Sequence, residues 1–195
     1  PTPMRTKPPR AESDIIVREA TPDELETLVA RLNAFYQDYN FYRPQTVDSL
    51  RSWLQESPFT TPINHYVVAV DRANRLLAGM GIREEGRLMS FQIEKVPPLI
   101  KFANIFLKVV PSDGDMRTLA TDYLWFDQLE AARYLWQTVR WEYRDRGSNL
   151  LCEYDPRSPI TQILQTPPWM PTTSLSIALR APVPMDEARL ISPII

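Results

Sequence analysis

The sequence predicts an α/β domain in which a mixed, mostly antiparallel central sheet is flanked by helices. Three observations predict it. Residues 119–155 read as an apolar strand (LATDYLWF), a tight connection (DQLEA), an amphipathic helix to about Asp145 and a second strand (NLLCEYD). That strand–helix–strand unit has about the minimum length of a parallel crossover. Residues 65–94 read as three strands joined by turn signals, an antiparallel meander. Ahead of them, residues 15–54 read as one strand and two amphipathic helices.

Composition narrows the function classes. At 195 residues the chain suits one domain with a real core. It is 44% apolar and 24% charged, and a net charge of −2 argues against general affinity for nucleic acid or anionic membrane. The single cysteine, Cys152, excludes an intramolecular disulfide and suits a reducing cytoplasm. The single histidine, His65, removes His-rich metal sites, and no nucleophile elbow accompanies it for Ser-His-Asp chemistry. No run reaches the roughly 18 apolar residues of a membrane span, and no signal peptide is visible. Only five glycines stand against 19 prolines. That scarcity matters, because loops that cradle phosphates usually rely on glycine.

In chain order, residues 1–14 are rich in proline and charge and read as a linker or mobile tail. The chain begins at proline rather than methionine, so an excerpted or a processed polypeptide is expected, and in the former case another domain ahead of this one. The domain itself is expected over 15–180 and a C-terminal tail over 181–195. Ile15–Arg18 is the first strand. Thr21, Pro22, Asp23 and Glu24 form a capping-box pattern, and Leu25, Leu28, Val29, Leu32, Phe35, Tyr36 and Tyr39 follow at helical spacing. A second helix starts near Thr46 with Val47, Leu50, Trp53 and Leu54 on its apolar side.

The meander comprises residues 65–71, 76–84 and 87–94. Gly79 and Gly81 in its middle strand mark a bulge, close backbone packing or the approach of a substrate. Residues 97–110 (PPLIKFANIFLKVV) read as a helix apolar nearly all round. Such a helix is buried, lies at a dimer or interdomain surface, or walls an apolar acyl pocket. In the strand at 118–126 both faces are largely apolar, as in a central strand. Ser158 and Pro159 open a short helix to about Gln165, and a last strand is expected over 173–180.

Taken in order, strand, two helices, three strands, strand, helix, strand, helix and strand across about residues 15–180 resemble a domain of the GNAT acetyltransferase superfamily. The resemblance implies acyl transfer from acetyl-CoA to a small-molecule or peptide amine. It places the cofactor pyrophosphate on the amides opening the helix after DQLEA. The family loop Gln/Arg-x-x-Gly-x-Gly/Ala falls here on Gln128, Ala131 and Arg133, so an alanine and an arginine stand where small residues belong. Trp125, Phe126, Gln128, Ala131 and Arg133 are the cofactor-contacting candidates. Asp122 is the implied base, Tyr154 the implied acid and Glu94 a reserve base.

Two readings follow. Either helix-start amides with Arg133 still hold an anion, or the site has lapsed and the domain is a silent structural or interaction half, as in tandem GNAT proteins. Arg133, Arg140 and Arg144 line one side of the helix, as a solvated face or as a ridge for an outer phosphate. Cys152 reads as a small buried apolar residue. The expected partners are the amine acceptor and a second copy or a preceding domain of the same chain.

Overall fold

The computed structural model of the chain describes residues 2–12, 14–93, 111, 114–164, 172–174 and 186–193. Its elements are β1 (Thr2–Pro3), β2 (Ile15–Glu19), α1 (Leu25–Tyr36), α2 (Val47–Gln55), β3 (Asn64–Asp71), β4 (Leu76–Arg83), β5 (Phe91–Gln92), β6 (Asp115–Met116), β7 (Thr118–Phe126), α3 (Leu129–Glu142), β8 (Asn149–Cys152) and α4 (Thr161–Leu164). Six strands form one sheet in the order β1-β8-β7-β4-β3-β2. Every neighbouring pair in it is antiparallel except β7 and β8, which run parallel as the crossover through α3 requires.

The sheet is covered on both faces. Tyr66–Val70 and Leu76–Ile82 are buried at successive positions, and because strand side chains alternate, both faces need cover. The covering side chains are Leu25, Leu28, Val29, Leu32 and Tyr36 from α1 and Leu50 and Trp53 from α2, as the apolar spacing predicts, with Ala131, Ala132, Leu135, Trp136 and Val139 from α3. Helix starts follow the sequence signals. The Glu24 carboxylate accepts from the Thr21 amide at 2.8 Å, and Thr46 Oγ1 accepts from the Ser49 amide at 3.0 Å. Gly79 and Gly81 serve close packing. A Cβ on Gly79 would come within 2.8 Å of Trp125 Nε1, and one on Gly81 within 2.7 Å of the Trp53 ring.

Some elements differ from expectation. The third meander strand, expected over 87–94, shrinks to β5, which pairs with β6 in a separate two-stranded sheet. The physical reason is that β7 takes the free edge of β4, leaving Leu88, Met89 and Phe91 exposed instead of paired over the core. Part of the expected tail is docked: β1 pairs with β8, and the Met4 and Arg5 amides donate to the carbonyls of Ser148 and Arg140. From the C-terminal side, the Asn40 amide donates to Leu190 O and the Ser192 amide to Asn40 O. The apolar helix expected over 97–110 lies outside the described residues, as do Ile194 and Ile195 and the strand expected over 173–180 apart from its first two positions.

Candidate cleft between two parting strands

The β7–β8 ladder is short. It runs from Thr118 opposite Asn149 to Thr121 opposite Cys152. Beyond it β7 continues through Asp122–Phe126 with no strand on that side among the described residues. On its other edge this half is bulged. Gly81 pairs with Asp122 and Gly79 with Trp125, so Tyr123 and Leu124 together face Met80, and Tyr123 has φ +53°. Two carbonyls of a central strand are thereby taken out of the ladder, and each needs another donor.

Tyrosines supply the donors. Tyr36, the last residue of α1, donates its hydroxyl to Leu124 O at 2.7 Å. Tyr66 on β3 donates to Tyr123 O at 2.9 Å and accepts from Trp125 Nε1 at 2.9 Å. Burial pushes both phenols well above their ordinary pKa, so both stay protonated donors. Around Tyr36 the rings of Phe35, Tyr39 and Tyr42 lie with centroids 4.8–5.2 Å from its own. Phe35 in turn meets Phe126 at 5.2 Å, and the Tyr39 hydroxyl reaches Ser158 Oγ at 3.0 Å.

What remains open is a cavity of about 70 Å³ lined by Tyr36, Asp122, Cys152 and Ile160, among others. Asp122 is 7% exposed, and its Oδ2 has no hydrogen-bond partner among the described residues. Arg83 stands 3.6 Å from that oxygen and also pairs with Glu85 at 3.1 Å. Burial raises the Asp122 pKa, Arg83 opposes the shift, and the nearby Glu85 and Glu153 carboxylates add to it. Burial likewise pushes the Cys152 thiol up to about 11, so it is no ready nucleophile.

The start of α3 is closed in its own way. The Asp127 and Gln128 amides donate to Leu77 O at 2.9 and 3.3 Å. Asp127 pairs with Arg31 at 2.8 Å. Arg133 donates to Gln162 O on α4 at 3.0 Å and pairs with Glu130 at 2.6 Å.

No protein-family model matches the chain, and no curated protein matches it either. Solved structures do. A Bacillus halodurans protein matches at 12% identity and TM-score 0.50, over 84% of this chain and 99% of its own. A ribosomal-protein-alanine N-acetyltransferase of Brucella melitensis matches at 12% identity and TM-score 0.49, over 86% and 99%. An aminoglycoside acetyltransferase from an uncultured soil sample matches at 14% identity and TM-score 0.46, over 85% and 99%. The mostly antiparallel six-stranded sheet flanked by helices is the GNAT fold.

In a GNAT domain the parting strands and the following helix start are the expected place for acetyl-CoA. The residues present do not fit it in this arrangement. Cofactor sites run to about 300–1,000 Å³, whereas this cavity has room for about two waters. The carbonyls freed by the bulge already hold tyrosine hydroxyls. Two carboxylates, Asp127 and Glu130, flank the first helical turn, where an anion would meet them.

The predicted site residues are therefore only partly assembled. Asp122 faces the cavity. Trp125 is fully buried and turned to Tyr66, Phe126 packs on Phe35, Gln128 is exposed at the start of α3, and Ala131 is fully buried. Arg133 is tied to α4 rather than open to a ligand. Tyr154 packs against the hydrophobic core beyond β8, and Glu94 lies outside the described residues. Of the arginine ridge, Arg140 holds β1 through Pro3 O at 2.6 and 2.9 Å. Sequence reasoning missed Tyr36, Tyr66 and Arg83. Tyr36 sat in the apolar stripe of α1, and the only signal of its second role was the density of tyrosines after Phe35.

Among the described residues, no helix is long and apolar enough to cross a membrane, and no group of three or more His, Cys, Asp or Glu is placed to hold a metal ion.

Proposed function

We propose that this domain keeps the GNAT fold as a closed scaffold and serves as the catalytically silent, structural or interaction half of a larger assembly. One observation carries the reading: the Tyr36 hydroxyl on Leu124 O fills the gap between β7 and β8 from within the chain. A strand edge kept free for a ligand would leave that carbonyl to solvent or to the ligand. The partner on this reading is another domain of the same polypeptide or a second copy. The lone Cys152 thiol suits a reducing compartment such as the cytoplasm.

A second reading, acyl transfer from acetyl-CoA to a small-molecule or peptide amine, is favoured by Asp122. A buried carboxyl with a raised pKa at the mouth of the strand gap has the character of a general base for an ammonium. On that reading the aromatic cluster around Tyr36 has to move before the cofactor enters.

Isothermal titration of the chain with acetyl-CoA separates the two. The closed scaffold gives no binding heat up to about millimolar cofactor, against the micromolar-to-millimolar range of working enzymes. Micromolar binding that Arg133→Glu abolishes would establish the acyltransferase reading instead.

A further inference from the structure

The chain returns to the gap between β7 and β8 at residues 186–193, where Pro193 lines the cavity that Asp122 and Cys152 also line. This segment is held differently from the rest of the domain. Among the described residues six hydrogen bonds tie it down, and in each its own contribution is a main-chain atom. Asn40, in the loop after α1, supplies three of them. Its amide donates to Leu190 O at 2.7 Å, its carbonyl accepts from the Ser192 amide at 3.0 Å, and its side chain donates to Asp186 O at 2.8 Å. Asp155 and Arg157, beyond β8, supply the others. Asp155 Oδ2 accepts from the Ile191 amide at 2.9 Å. Arg157 donates to Glu187 O at 2.9 Å and to Arg189 O at 3.0 Å.

The last two residues also lock each other, Arg157 donating to both Asp155 oxygens at 2.7 and 3.0 Å. The Asp155 side chain is 5% exposed and that of Arg157 50%, so a buried carboxylate and a half-exposed guanidinium form one latch. The Arg157 side chain first, then the amides of Arg157 and Ile191, hold the Asp155 carboxyl well below the usual carboxylate range. The latch is therefore charged near neutral pH.

Apolar burial contributes little to this docking. Residues 186–189 are exposed, Ser192 alone of the eight is buried, and neither Leu190 nor Ile191 packs against the hydrophobic core. A segment held by surface hydrogen bonds with few apolar contacts opens at a lower free energy than a core strand.

We infer that residues 186–193 are a releasable strap, latched by Asp155 and Arg157 over the gap between β7 and β8. Its release opens the cavity at Asp122 to solvent while the sheet stays intact. Tyr36 closes the same gap from within and takes no part in the latch, so the inference stands apart from the fate of acetyl-CoA.

The test follows amide exchange by NMR in the full chain, together with labelling of Cys152, the single cysteine, by methyl methanethiosulfonate. The Ser192 amide should exchange at least about tenfold faster than the Val68 amide in the core of β3. Arg157→Gln removes the guanidinium, and Ile191→Pro removes the amide that Asp155 accepts from. Each should speed both Ser192 exchange and Cys152 labelling by about tenfold and leave Val68 unchanged. Ser192 exchanging no faster than Val68, or Val68 accelerated as much as Ser192 in both variants, would overturn the strap. Cys152 labelling unchanged in both variants would overturn its cover of the gap.

Discussion

The two halves of β7 satisfy their backbone in opposite ways. From Thr118 to Thr121 the strand is an ordinary ladder member, paired with β8 throughout and, at Ala120 and Thr121, with β4 on the other side. From Asp122 to Phe126 it is bulged on one edge and, among the described residues, without a strand on the other, and buried tyrosine hydroxyls take over. In the first half the sheet would survive many side-chain changes, because backbone meets backbone. In the second half the backbone depends on particular side chains. A gap between strands can thus be closed without a strand, provided that donors arrive from neighbouring elements at hydrogen-bonding distance.

The sharpest way to break this contrast is Trp125→Ala. It removes a fully buried indole and the Nε1 donor to Tyr66, and urea unfolding should show a loss of about 3–5 kcal/mol. Next comes a matched pair of hydroxyl deletions. Tyr36→Phe leaves Leu124 O buried without a donor and should cost about 1–3 kcal/mol. Thr121→Val in the laddered half removes a bond from Thr121 Oγ1 to Leu151 O at 2.9 Å and should cost about 1 kcal/mol or less. Equal costs in denaturant midpoints would erase the distinction between the halves.

A pH-dependent effect concerns the helix that delivers Tyr36. Glu24, in the turn leading into α1, has its pKa lowered to about 2, first by the hydrogen bond from Arg18 and despite its burial. A depressed carboxylate contributes stability that is present above its unfolded value near 4.5 and is lost as pH falls towards about 2. Removing Glu24 as Glu24→Gln should cost about 1–2 kcal/mol at pH 7 after allowance for screening, and close to nothing at pH 2, by thermal melts at both values.

The fold was largely legible because its signals were periodic. The stripes of α1 and α2, the amphipathic pattern of α3 and the apolar runs of β3, β4 and β7 all report burial directly. The stretch at 87–93 misled because alternation of Met89, Phe91 and Ile93 records only a side-chain pattern, whereas strand membership depends on which edge is free, and β7 had taken it. The docking of Thr2–Pro3 on β8 had no local signal, since a proline-rich segment can lie on an edge as well as hang free. Asp122 was placed at the strand gap by its position on β7, but the closure of that gap depended on a contact between Tyr36 and Leu124, which are far apart in sequence. A periodic stripe marks Tyr36 as buried without saying what its hydroxyl meets.

The most direct test is a crystal structure of the chain grown in excess acetyl-CoA. The account predicts Tyr36 Oη still within hydrogen-bonding distance of Leu124 O and no density between β7 and β8. A pantetheine arm lying between those strands, with Tyr36 displaced from Leu124, would contradict it.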